Sequence, residues 1–182
     1  MHNLLGFDAG DVGLPSNICI LEENTLLKLL NILKDKGGIV RQDFAFISAG
    51  CESKVPEFVK AIDALDTILK CHPLYKDNYY IITDNISDKS NGTYKRLCEV
   101  NRNGVTRYFP LSSGDVEMYY GNIGPEYKKY ERKDEIKKLL GKDKNDLALE
   151  IAEKIKTEGD FQKLFAGELG FLLKSKEGSR PD

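Results

Sequence analysis

Four short apolar runs recur along this chain, and they limit what it can fold into. They are Ile18 to Leu21 (ICIL), Asp43 to Ser48 (DFAFIS), Tyr79 to Thr83 (YYIIT) and Thr106 to Leu111 (TRYFPL). Each is too short for a core helix and rich in β-branched or aromatic residues, so each reads as a strand. ICIL in particular carries no alternation, as expected of a strand buried on both faces. Pro110 cannot donate to a ladder, which puts the fourth strand near an edge or makes Pro110 its end.

Helical patterns fill the intervals. Leucines at 26, 27, 29, 30 and 33 form a stripe in ENTLLKLLNILKDKGG, which Gly37-Gly38 stops. SKVPEFVKAIDALDTILK is a second amphipathic helix, with Pro56 in its first turn, where a missing N–H costs least. GTYKRLCEVNRNG is a third, ending near Gly104. Strand and helix thus alternate at the spacing of a βαβ crossover, about thirty residues. The expected fold is α/β, with a four-stranded, mostly parallel sheet and helices on both faces.

After Gly124 the strands cease. KDEIKKLLG, KNDLALEIAEKIK and DFQKLFAGELGFLLK read as helices, and the final SKEGSRPD as a polar tail. The expected layout is a linker from a preceding domain over 1–16, an α/β core over 17–124, a helical part over 125–173 and the tail over 174–182.

The chain's 182 residues suffice for a core that needs no staple. With 27 basic and 29 acidic residues, the net charge of −2 argues against binding nucleic acid by bulk charge. A local basic patch or a carboxylate site for a metal remains open. The four cysteines form no C-x-x-C pair, which disfavours a zinc ribbon or redox motif and favours reduced thiols. Neither a signal peptide nor an apolar run of membrane-spanning length is visible, so a cytoplasmic protein is expected, with no membrane partner.

Acids stand where these strands end. The first strand runs into Glu22-Glu23, the third into Asp84, and the fourth into SSGDVEMYYG with Asp115 and Glu117. In a parallel sheet such ends share one rim, where α/β folds bind ligands. Hard divalent cations take one or two carboxylates there, plus waters and substrate phosphate. Bland readings compete. Glu23 suits the first turn of a helix, Asp115 suits a helix N-cap, and Tyr119-Tyr120 suits packing better than base stacking. The second strand ends in SAGCESK, where Gly50 suits a turn and Ser53 a helix cap.

Together, ICILEENTLLKLL, FAFISAGCESKVPEFVKAI, YYIITDNISD and YFPLSSGDVEMYYG resemble the TOPRIM domain of the overcoming-lysogenisation-defect (OLD) family, which joins an ABC-type ATPase to a C-terminal TOPRIM nuclease. LLGFDAGDVGLPSN resembles the segment leading into that domain, and KDKNDLALEIAEKI its lysine-bearing helix. The resemblance covers nearly the whole chain. It implies Mg²⁺- or Mn²⁺-dependent cleavage of DNA, within a phage-defence system whose ATPase is a missing part or a separate subunit. An assembly of copies through that missing part is left open. The chain itself has no Walker A sequence.

The resemblance assigns the strand-one Glu to Glu22, the first Asp of a D-x-D to Asp84, the fourth-strand acid to Glu117 and the late lysine to Lys144, with Lys142 as a fallback. Glu22, Asp84, Glu117 and Lys144 are thereby the expected catalytic set. This sequence departs from the family in three places. Glu23 stands where the family has Gly, Leu26 where an acid is common, and Ile86 at the second Asp. If the loop carries two extra residues, Asp88 takes that role, and the metal set becomes Glu22, Asp84, Asp88 and Glu117. Without recruitment of Asp88 or Glu23, the set suffices for a single ion.

Two alternatives stand beside the nuclease. Leu26 and Ile86 motivate a catalytically degenerate TOPRIM module that positions DNA or a partner chain. A receiver-like signalling domain is more distant: Glu22-Glu23 and Asp84 fit it loosely, the segment beyond Gly124 does not. Lys89, Lys95 and Arg96 are candidate phosphate contacts, with a solvated helix face as the competing reading.

Overall fold

A computed structural model describes residues 15–36, 38–69, 78–86, 88–101, 105–130 and 144–174. Four strands, β1 (Asn17–Leu21), β2 (Phe44–Ser48), β3 (Tyr79–Thr83) and β4 (Tyr108–Pro110), form one sheet in the order β2-β1-β3-β4. Every pairing is parallel, with Leu21 opposite both Ser48 and Ile82, and Ile81 opposite Tyr108. The strand with Pro110 is an edge strand, as its missing N–H requires. The α/β class and the parallel sheet expected from the alternation are therefore present.

The chain divides into two compact units. The first takes the chain up to Glu23 and Gln42–Pro110, and so holds the whole sheet. A short 3-10 turn (Glu52–Lys54) opens helix α2 (Val55–Leu69), and α3 (Gly92–Cys98) follows β3. On one sheet face Ile20, Tyr79, Ile81 and Tyr108 pack with Val55 and Ile62 of α2 and Leu97 of α3. The opposite face carries a row of rings: Phe44 lies 5.3 Å from Tyr80, and Tyr80 lies 6.4 Å from Phe109. Strand periodicity explains the split, because alternate side chains point to opposite faces.

Asn91 caps α3 by accepting the Thr93 N–H at 2.8 Å. Gly50 turns the chain out of β2 with φ +82, a conformation that disfavours any side chain. Ser53, expected to cap the second helix, instead lies inside the 3-10 turn, where its hydroxyl meets Cys51 Sγ at 3.2 Å.

The second unit takes Asn24–Arg41 and the chain from Leu111 onward. It contains α1 (Asn24–Asp35), two 3-10 segments (Val116–Asn122 and Pro125–Tyr130), α4 (Lys144–Lys154), α5 (Glu158–Leu164) and a 3-10 turn (Gly170–Leu172). Leu26, Leu29, Leu30 and Leu33 on α1 are buried, and α1 packs along α4, whose Leu147, Ala148, Ile151 and Ala152 are buried too. Thr157 and Asp160 form a reciprocal capping box at the start of α5. Gly167 ends that helical region with φ +81, its N–H donating to the Gln162 carbonyl at 2.8 Å.

The expected helix KDEIKKLLG, the fallback Lys142, the linker over 1–14 and the tail from 175 onward lie outside the described residues. Cys19, Cys51 and Cys98 are free thiols, as expected; Cys71 lies outside the described residues. Among the described residues no helix is long and apolar enough to cross a membrane.

Candidate functional site

The order β2-β1-β3-β4 reverses direction between β1 and β3, and the crevice at such a switch point is where parallel sheets bind ligands. Glu22 and Asp84 follow the last residues of those two strands. They are brought together: the Asp84 N–H donates to Glu22 Oε2 at 3.0 Å, and the Glu22 N–H donates to the Ile82 carbonyl at 3.1 Å. Both acids are partly exposed, as a ligand rim needs. The β2 end contributes polar groups to its own turn. Ser48 Oγ donates to the Glu22 carbonyl at 3.4 Å and accepts from the Gly50 N–H at 3.1 Å.

Asp84 is held from its other side as well. Thr83 Oγ1 donates to the Asp84 carbonyl at 2.9 Å and lies 3.1 Å from Tyr108 Oη. Burial pushes the Tyr108 phenol up to about 12. Neither Thr83 nor Tyr108 was marked by the sequence. Their pairing joins positions 25 apart on neighbouring strands, and only the β3–β4 register puts them on one face.

Two other positions of the loop after β3 have contacts of their own. Ile86 is 7% exposed and belongs to the hydrophobic core of the first unit. Asp88 uses its own turn: Oδ1 accepts the Ser90 N–H at 2.9 Å and the Ser90 hydroxyl at 2.6 Å. Those bonds hold its carboxyl below the usual range. Asp88 and Ser90 form an exposed Asx-type turn ahead of α3.

Glu117 and Lys144 are brought together within the second unit. Glu117 lies in the 3-10 segment Val116–Asn122 and is 1% exposed; Lys144 opens α4, and its Nζ lies 2.7 Å from Glu117 Oε1. That contact is close enough for an ion pair, yet neither Glu117 oxygen meets hydrogen-bond geometry with a described residue. Ammonium–carboxylate attraction depends weakly on angle, so the short distance makes the pair. Asp115 occupies the N-cap position of this segment without a side-chain cap bond.

Tyr119 and Tyr120 are fully buried, so they pack rather than offer stacking faces. The Tyr119 hydroxyl donates to Glu168 Oε2 at 2.8 Å, and the same carboxylate takes the Ser112 N–H at 3.1 Å. Glu168 thus anchors the SSGD loop, a role no local motif marks. The unit also carries an open groove of about 430 Å³, lined by residues that include Leu27, Ile32, Asn145 and Leu149.

Among the described residues no three His, Cys, Asp or Glu side chains are gathered where they could hold a metal. Glu22 and Asp84 are joined by the bond from the Asp84 N–H to Glu22 Oε2 and offer two carboxylates at adjoining strand ends. That donor set still fits a single Mg²⁺-like ion, which commonly keeps waters and takes only one or two protein carboxylates. Lys89, Lys95 and Arg96 are exposed beyond Asp84, on the turn and on α3.

No family model, curated protein or solved structure matches the chain. The class is therefore set by the fold: an α/β protein with a four-stranded, all-parallel, Rossmann-like sheet and a helical C-terminal part.

Proposed function

We propose that this chain is a TOPRIM-type domain acting on DNA phosphodiesters with Mg²⁺ or Mn²⁺, in an OLD-like ATPase-nuclease of the cytoplasm. The observation that carries the reading is the contact of Glu22 with Asp84 at the β1/β3 switch point. Glu22 and Asp84 would hold one ion, whose chemistry when bound is to polarise a phosphodiester and lower the pKa of a water. The chain's own work is to fix those two carboxylates on strand ends. Lys144, which the resemblance offers as the late lysine, is held beside Glu117 within the second unit. Lys89, Lys95 and Arg96, all exposed, are the candidates for phosphate contacts. The ATPase would be a missing part or a separate chain.

A degenerate module that positions DNA or a partner without cutting is the second reading. Ile86, an apolar core residue where the family carries its second Asp, favours it, as does the bonding of Asp88 to Ser90 within its own turn.

Calorimetric titration with Mn²⁺ and Ca²⁺, beside Asp84→Asn, separates the two. Binding that Asp84→Asn abolishes, followed by metal-dependent nicking of a plasmid, supports the nuclease. Absence of heat at millimolar metal, with and without a short duplex, removes the metal-dependent reading.

A further inference from the structure

We infer that Tyr108 is a positioning residue for Asp84, acting through Thr83; this rests on the reading of Glu22 and Asp84 as a metal rim. The peptide units around Asp84 are fixed by side chains on both sides. The Asp84 N–H is bonded to Glu22 Oε2 at 3.0 Å, and its carbonyl accepts the Thr83 hydroxyl at 2.9 Å. Thr83 has a single hydroxyl proton. Once it is given to the Asp84 carbonyl, the 3.1 Å contact with Tyr108 requires the phenol to be the donor. Proton direction therefore runs from Tyr108 to Thr83 to the Asp84 carbonyl.

Thr83 is 1% exposed and Tyr108 4%, so water does not readily replace either bond. The Tyr108 ring is itself fixed. It sits in the core cluster and meets Tyr94 of α3 edge-on at 6.2 Å. A strand end is otherwise free to swing as the chain leaves the ladder. Here a buried phenol on the neighbouring strand helps set the torsions at which Asp84 departs, and hence the direction of its Cα–Cβ bond. Outer-shell partners of this kind commonly alter metal affinity by about ten- to a hundredfold when removed.

The test is Mn²⁺ titration of the full chain. Tyr108→Phe deletes the phenol oxygen and keeps the ring. It should weaken Mn²⁺ binding about tenfold, and Thr83→Val should do the same. The double variant should be no weaker than Thr83→Val alone, because both act through one bond chain. Thr83→Ser, which keeps the hydroxyl, should restore wild-type affinity. Ile62→Val, a control in the same core, should lower Tm and leave affinity unchanged. If Tyr108→Phe does not fold, Thr83→Val against Thr83→Ser carries the comparison. Wild-type affinity in Tyr108→Phe, with Asp84→Asn abolishing binding, overturns the inference and leaves the metal rim standing. A wild-type chain that binds no Mn²⁺, alone or with duplex, overturns both.

Discussion

Lys144 Nζ lies 2.7 Å from Glu117 Oε1, and the carboxylate it meets is 1% exposed while the lysine is 25% exposed. The pair is asymmetric: the acid has lost its water and the base has kept part of it. Such a carboxylate depends on its partner more than the lysine does.

Removing the cation should therefore cost more than an exposed pair is worth. Lys144→Met is expected to lower unfolding free energy by about 2 kcal/mol, between the values for exposed and fully buried pairs. Glu117→Gln combined with Lys144→Met should recover part of that loss, because no charge is then left stranded. Urea denaturation of the two variants beside wild type checks this. Equal stability of Lys144→Met and wild type would show the pair contributes nothing to the fold.

The start of α5 supplies an acid-dependent term. Asp160 accepts the Lys156 N–H at 3.0 Å, and the Thr157 hydroxyl and N–H, both at 2.9 Å. The Lys156 amide leads in holding its carboxyl below the ordinary value of 3.8. A depressed folded-state pKa contributes stability that is present above the unfolded value and lost as pH falls through the folded one. Asp160→Asn should thus be less stable than wild type at pH 7, and the gap should close below that window. Thr157→Ala, which removes the other half of the box, should cost about 1 kcal/mol at neutral pH. Thermal melts from pH 2 to 7 read both; a gap that persists unchanged at pH 2 would contradict the assignment.

Thiol reactivity should rank by environment. Cys51 is partly exposed, and its bond with the Ser53 hydroxyl leads in holding the thiol below its ordinary pKa. Burial pushes the Cys19 thiol far up. Because the thiolate is the nucleophile, iodoacetamide at neutral pH should label Cys51 well before Cys19, and Cys19 only on unfolding. Ser53→Ala should slow the Cys51 reaction. Peptide mapping by mass spectrometry gives the order, and early labelling of Cys19 would count against its burial.

Reading strands from the sequence works here because each is a short apolar run with β-branched or aromatic residues. β3 spans Tyr79–Thr83 as expected, and β1 and β2 differ from their runs by one residue at the N-terminal end. The helical stripe of α1 is equally plain. Its partner is not, because amphipathicity says that a face is buried and not against what. Pairing along α4 is a tertiary fact. The candidate site divides the same way. Glu22 and Asp84 follow strand ends, so topology alone juxtaposes them. The Glu117–Lys144 and Thr83–Tyr108 contacts join distant stretches and carry no local signal.

Ile86 is the position where a motif-based repair would be tempting, since a carboxylate there would rebuild a D-x-D with Asp84. The structure argues against it. Ile86 is 7% exposed among Ile20, Ile81 and Val55 in one core cluster. A carboxylate placed there would lose its hydration without a partner and would also leave a cavity. Ile86→Asp is expected to destabilise the protein by about 3 kcal/mol or more and to leave Mn²⁺ affinity no better than wild type. Ile86→Val should cost about 1 kcal/mol and leave metal binding unchanged. Asp88→Ala should also leave it unchanged, because that carboxylate is committed to Ser90. Chemical denaturation together with Mn²⁺ calorimetry tests all three. A folded Ile86→Asp with tighter Mn²⁺ binding would mean that the side chain at 86 can turn out of the core and reach the rim.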